Sequence, residues 1–196
     1  MQDFIVLIPS RMESLRLPGK PLKLIGNKTL IQRVSEQALK SKAKEVLVAT
    51  DSQEIISHCS VNNIKSVLTK SDHSTGSDRL AEAAENLNLD DDQIIINVQG
   101  DEPFIDPDDI NNLHSLMEKT SSNMATLYSK LTTKDIQNTN VVKLWVNVDG
   151  SVSNFARKIS HMKNAAQAKM HLGIYAYRVS FLKQFVKWPQ SNRELD

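Results

Sequence analysis

Residues Phe4–Leu22 read Phe-Ile-Val-Leu-Ile-Pro-Ser-Arg-Met-Glu-Ser-Leu-Arg-Leu-Pro-Gly-Lys-Pro-Leu. Five apolar residues run straight into a loop with two arginines, one lysine, one glycine and three prolines. An uninterrupted apolar run of this length reads as a buried strand. The cationic loop then stands at the strand's carboxyl end, where open α/β sheets bind ligands. This places the chain in the α/β class and makes Arg11–Lys20 a candidate anion site. A triphosphate is the natural candidate; a solvated basic loop explains the composition equally well.

The loop's charge is local. The 196 residues carry 24 Lys plus Arg against 23 Asp plus Glu, a formal net charge of +1. That balance argues against a dedicated nucleic-acid binder, which carries a basic excess. The single cysteine, Cys59, excludes an internal disulfide framework and fits a reducing cytoplasm. It falls in a predicted helix, where a thiol serves as a small buried apolar group. The amino terminus lacks a basic and apolar signal pattern, and no apolar run reaches membrane-spanning length.

Outward from Phe4–Ile8, strand and helix signals alternate. Thr29–Leu39 places Leu30, Ile31, Val34, Ala38 and Leu39 on one helical face. Val46–Ala49 is a second strand. Thr50-Asp51-Ser52 then offers N-cap chemistry to a helix through Ile55, Ile56 and Cys59. Ile64–Leu68 is a third strand, Ser77–Leu87 a helix, and Ile94–Val98 the most strand-like run of the chain. Such repeated units predict a parallel sheet covered on both faces. After the helical signal of Asp106–Lys119, strands at Met124–Leu131, Val141–Val148 and Leu172–Tyr177 predict a mixed sheet with a smaller β-rich arm. Val148-Asp149-Gly150-Ser151 is a hairpin-turn signal. Asp90-Asp91-Asp92 reads as a solvated turn rather than a metal site.

Two further segments carry chemistry. Gln99-Gly100-Asp101-Glu102-Pro103 stands at the carboxyl end of another strand, so the sheet can bring it near Arg11–Lys20. Gly100 permits close backbone approach. Asp101 offers a hard oxygen ligand to Mg²⁺, which binds through one or two carboxylates plus phosphate oxygens. Alone, the segment is an ordinary strand-to-loop turn. Beside the first loop it becomes one half of a metal-assisted phosphoryl or nucleotidyl transfer site. Asp72–Arg79 supplies Ser, Thr and Gly to cap the helix near Ser77, with hydroxyls and amides that could also hold a base or a phosphate.

Five segments, in order, carry a resemblance. They are Arg-x-x-Ser-x-Arg-Leu-Pro-Gly-Lys-Pro-Leu (Arg11–Leu22), Ala-Thr-Asp (Ala49–Asp51), His-Ser-Thr-Gly-Ser-Asp-Arg (His73–Arg79), Asn-Val-Gln-Gly-Asp-Glu-Pro (Asn97–Pro103) and His-Leu-Gly-Ile-Tyr-Ala-Tyr-Arg (His171–Arg178). The chain resembles the 3-deoxy-manno-octulosonate (Kdo) cytidylyltransferases. The first motif is shared with wider sugar nucleotidyltransferases and CMP-sialic acid synthetases; its combination with the last two is more specific.

The resemblance implies a Rossmann-like nucleotidyltransferase fold, one domain over 1–196. It implies transfer of the cytidylyl group from CTP to Kdo, with release of pyrophosphate, for lipopolysaccharide core synthesis. By resemblance Arg11 and Lys20 hold the triphosphate, with Arg16 and Gly19 in the same loop. Thr75, Gly76, Arg79 and Gln99 line the nucleotide, and Asp101 binds Mg²⁺. Arg157, in Asn-Phe-Ala-Arg, meets the sugar carboxylate, and His171, Tyr175 and Glu194 contact the sugar. A cytoplasmic homodimer that binds neither nucleic acid nor membrane is the implied state.

The chain also departs from the family pattern. It stops at Leu195-Asp196, where family members continue to a Val-Asp-Thr-Pro-Glu-Asp-Leu segment whose aspartate helps bind metal. The expectation is therefore a domain lacking its C-terminal part. The stretch from Arg157 to His171 is short, with Ile159-Ser160-His161 where the family has Ile-Pro, and Ala156 replaces a serine. Two alternatives accompany the main reading: a catalytically impaired CTP-binding domain, and a cytidylyltransferase for another sugar acid such as a sialic acid.

Overall fold

A computed structural model describes residues 2–13, 17–159 and 167–189. The chain divides into two compact units, Met1–Ala125 with Ile174–Asp196, and Thr126–Gly173. The strands are β1 (Phe4–Ser10), β2 (Leu24–Ile25), β3 (Lys28–Thr29), β4 (Glu45–Thr50), β5 (Lys65–Leu68), β6 (Ile94–Asn97), β7 (Met124–Lys130), β8 (Lys143–Val146), β9 (Val152–Ala156) and β10 (Lys169–Arg178). The helices are α1 (Leu30–Ala38), α2 (Gln53–Val61), α3 (Gly76–Asn86), α4 (Pro107–Lys119), α5 (Thr133–Ile136) and α6 (Val179–Phe185).

The first unit is built on a sheet ordered β5-β4-β1-β6-β10. The first four strands are parallel, with Val6 opposite Val46 on one side and Ile96 on the other. Residues 175–178 of β10 run antiparallel to β6. Successive strand residues face opposite sides of a sheet, so β1 feeds two cores. Ile5 and Leu7 join Leu80, Ala83 and Ala84 of α3 and Val179 and Leu182 of α6. On the other face, Phe4 stacks on His114 of α4 with ring centroids 4.4 Å apart. Val6, Leu7, Ile8 and Ile94–Ile96 are fully buried, which is why these strands read as continuous apolar runs.

The helices begin where the sequence offers side-chain oxygen. Thr29 and Gln32 form a capping box at α1, Ser52 caps α2, and Thr75 and Asp78 form a capping box at α3. Asp106 caps α4, with Pro107 in its first turn. Cys59 lies buried on α2, where burial pushes its thiol up to about 11. Asp91, in the acidic turn, pairs with Lys183 at 2.9 Å.

In the second unit, β8 lies between β9 and residues 169–170 of β10, antiparallel to both. Val148–Ser151 makes the expected hairpin turn, with Gly150 at φ 85° and the Asn147 amide donating to the Ser151 carbonyl at 2.8 Å.

The turn shortens the predicted Val141–Val148 strand to Lys143–Val146. Five other elements lie outside the sequence reading: the two-residue strands β2 and β3, and β9, α5 and α6. β9 is almost wholly exposed and so lacks an apolar run. α6 starts without a side-chain cap, directly after β10. α5 is a single turn with no buried residue.

Among the described residues no helix is long and apolar enough to cross a membrane.

Candidate active site

β1 and β6 are parallel neighbours, so their carboxyl ends emerge side by side. After β1 the chain turns towards β4, while β6 lies on β1's other flank. This reversal of strand order opens a crevice. A cavity of about 400 Å³ stands there, lined by Pro9, Ser10, Arg11, Glu13, Lys20, Pro21, His73, Ser74, Thr75, Gly76, Arg79, Gln99, Gly100 and Asp101. Three chain segments therefore converge: the loop after β1, the start of α3 and the loop after β6.

Backbone geometry brings them close. A Cβ on Gly100 would stand 2.7 Å from the Pro9 carbonyl oxygen, so any other residue would force the two loops apart. A Cβ on Gly76 would lie 3.4 Å from Pro9 Cγ, which sets the α3 start against the end of β1. Gly19 closes the first loop. It adopts φ 66°, a left-handed conformation that glycine favours. Its amide donates to the Met12 carbonyl at 3.0 Å, and a 3-10 turn over Lys20–Leu22 follows.

That turn delivers Lys20 to Asp101, with Nζ donating to Oδ2 at 2.5 Å. Both side chains remain partly exposed, 36% and 51%. Next to them, burial pushes the Glu102 carboxyl up; the Asp101 charge adds to this and Lys20 opposes it.

Arg79 lines the cavity from α3 yet is held by protein groups. Its Nη1 donates to Thr69 Oγ1 at 2.6 Å and its Nη2 to Asp51 Oδ2 at 2.8 Å. A guanidinium only 3% exposed needs such partners. His73 and Glu82 pair through Nε2 and Oε2, and Glu82 also accepts from the Lys70 amide at 2.8 Å.

Of the residues singled out from sequence, Arg11, Lys20, Thr75, Gly76, Arg79, Gln99 and Asp101 line this one cavity, and Gly19 shapes its loop. Tyr175 sits on β10 in the first unit, stacked on Tyr177 with centroids 6.1 Å apart. Burial pushes its phenol up. Arg157 and His171 belong to the second unit. There His171 Nε2 hydrogen-bonds Thr126 Oγ1 at 2.9 Å and its ring meets Phe155 edge-on at 5.1 Å, while burial pushes the imidazole down. Arg16, Glu194 and the segment Ser160-His161 lie outside the described residues. Ser10, Glu13 and His73 were not singled out. His73 had a signal, since it opens the motif ending at Arg79.

The cytidylyltransferase family profile matches residues 5–195. A Pseudomonas fluorescens (strain SBW25) 3-deoxy-manno-octulosonate cytidylyltransferase is 45% identical over 201 residues, covering 94% of this chain and 78% of the relative. The chain belongs to the 3-deoxy-manno-octulosonate cytidylyltransferase family. Another member, from Haemophilus influenzae (strain PittEE), is 37% identical over 98% of the chain and 82% of its own length. Among solved structures, a CMP:2-keto-3-deoxy-manno-octonic acid synthetase complexed with CTP matches with a TM-score of 0.90 and 36% identity, over 99% of this chain and 81% of that one. A 4-diphosphocytidyl-2C-methyl-D-erythritol synthase matches at 0.66 with 10% identity, over 97% of this chain and 81% of that one, and shares the fold. The cytidylyltransferase assignment gives the cavity its chemical frame, that of a CTP-dependent nucleotidyltransferase.

Proposed function

We propose that the chain transfers the cytidylyl group of CTP to Kdo, giving CMP-Kdo and pyrophosphate. The observation that carries this reading is the convergence of Arg11, Lys20, Gln99 and Asp101 on one cavity at the ends of two parallel strands. The sugar's anomeric hydroxyl oxygen attacks the α-phosphorus and its proton passes to solvent, the α–β anhydride bond breaks, and pyrophosphate leaves with that bond's electron pair. Arg11 and Lys20 hold the triphosphate and offset the negative charge that grows on the transferring and leaving groups. Arg16 and Gly19 complete that loop. Thr75, Gly76, Arg79 and Gln99 form the nucleotide wall. Arg79, already held by Asp51 and Thr69, keeps that wall rigid rather than reaching out. Arg157 takes the sugar carboxylate, for which a guanidinium fork is suited, and His171, Tyr175 and Glu194 serve the sugar.

The donor set fits Mg²⁺. Asp101 presents a half-exposed carboxylate to the cavity, and the described residues contain no cluster of three or more potential ligands. Mg²⁺ keeps several waters and binds through one or two carboxylates plus substrate phosphates, so Asp101 facing a triphosphate would serve as a protein anchor. When bound, the ion would neutralise phosphate charge.

We take the working form to be a cytoplasmic homodimer, as in the resemblance, which light scattering tests. The reaction is tested by pyrophosphate release. Release that needs CTP, Mg²⁺ and Kdo together supports the reading. No release from folded protein, or preference for a sialic acid in a substrate panel, overturns it.

A further inference from the structure

Lys143 is fully buried, an expensive place for an ammonium group. Its nitrogen is held by main-chain oxygen, donating to the Asn138 carbonyl at 2.6 Å and the Arg157 carbonyl at 2.9 Å. The Arg157 side chain reaches the same loop, with Nη1 donating to the Thr139 carbonyl at 3.4 Å. Two adjacent carbonyls of one loop thus receive two cations.

The strand register gives this placement meaning. Lys143 lies on β8, the strand between β9 and β10. Its partner on β9 is Ala156, which precedes Arg157, and its partner on β10 is Met170, which precedes His171. The His171 amide donates to the Val142 carbonyl at 3.0 Å. One lysine therefore sits in register with the residue before Arg157, at the end of β9, and with the residue before His171 on β10.

We propose that Lys143 is a positioning residue for sugar-acid binding: its buried ammonium fixes the Arg157 backbone and adds positive potential beside the guanidinium. The inference rests on the reading of Arg157 as the group that meets the sugar carboxylate. Burial pushes the Lys143 ammonium down, Asp135 opposes this, and the nearby Arg157 charge pushes it down further. A carboxylate bound beside the two cations would oppose that downward push.

The test is steady-state kinetics of the full chain, varying Kdo and CTP separately in the presence of Mg²⁺. Lys143→Met keeps the apolar stem and removes the clamp. It is expected to raise the KM for Kdo at least tenfold while leaving the KM for CTP within twofold. A Kdo KM within twofold of wild type overturns the proposal, as does an equal rise in both constants. Lys143→Arg covers the case in which the methionine variant does not fold. Its bulkier head cannot reproduce both carbonyl contacts, so a three- to tenfold rise for Kdo alone is expected, and no rise overturns the proposal. Arg157→Ala separates the two readings. If Arg157→Ala leaves the Kdo KM unchanged, the reading of Arg157 fails; if it raises that KM while the Lys143 variants do not, the positioning role alone fails.

Discussion

Gly100 stands so close to Pro9 that a methyl group on its α-carbon would meet the Pro9 carbonyl oxygen at 2.7 Å. The obstacle is backbone, which cannot swing aside as a side chain can. Gly100→Ala is expected to destabilise the fold by roughly 1–3 kcal/mol, the usual range for overpacking. Because relief of the clash moves Asp101 away from the Arg11 loop, turnover should fall about tenfold or more. Urea denaturation and pyrophosphate release measure the two effects on the same sample.

Lys20 and Asp101 form an ion pair that is partly solvated on both sides. Such pairs contribute about 0–1 kcal/mol to stability. Lys20→Ala should therefore leave the melting temperature nearly unchanged while reducing turnover by two orders of magnitude or more. Asp101→Asn should raise the Mg²⁺ concentration needed for half-maximal activity. Near-normal turnover in Lys20→Ala would remove its assigned role.

Burial pushes the Glu82 carboxyl up. The hydrogen bonds from His73 and the Lys70 amide, and their attraction, outweigh this and hold it below its ordinary value of 4.5. A folded-state value below the unfolded one adds stability that is complete above the unfolded value. That stability is lost as pH falls through the folded value. The stability gap between wild type and Glu82→Gln should shrink as pH falls below 4.5. Chemical denaturation at several pH values checks this; a gap that widens in acid contradicts the assignment.

Cys59 is fully buried and its thiol is pushed up to about 11. At neutral pH almost no thiolate exists to react. A thiol reagent should label the native protein only at the rate of local or global opening, and at once in denaturant. Fast stoichiometric labelling of folded protein would show that α2 opens freely.

The sheet was legible because its central strands are buried on both faces and read as unbroken apolar runs, as Phe4–Ile8 and Ile94–Val98 do. The candidate cavity was legible for a related reason. Parallel strands deliver their following loops to one edge, so Lys20 and Asp101 meet across 81 positions. What stayed hidden depends on tertiary pairing. Nothing in the sequence marks Lys143 as a buried lysine, or joins Arg79 to Asp51 across 28 positions. β9 escaped notice because exposed strands need no apolar pattern; its pairing with β8 defines it.

The contact between Lys20 and Asp101 makes the resting site self-neutralised. A lone anion that draws Lys20 away strands an aspartate charge, and a lone cation that takes Asp101 strands a lysine. Only a ligand that brings both charges together parts the pair without leaving one unmatched. If Asp101 takes the cation and Lys20 the triphosphate, as proposed, each component would strengthen the hold on the other by the same factor.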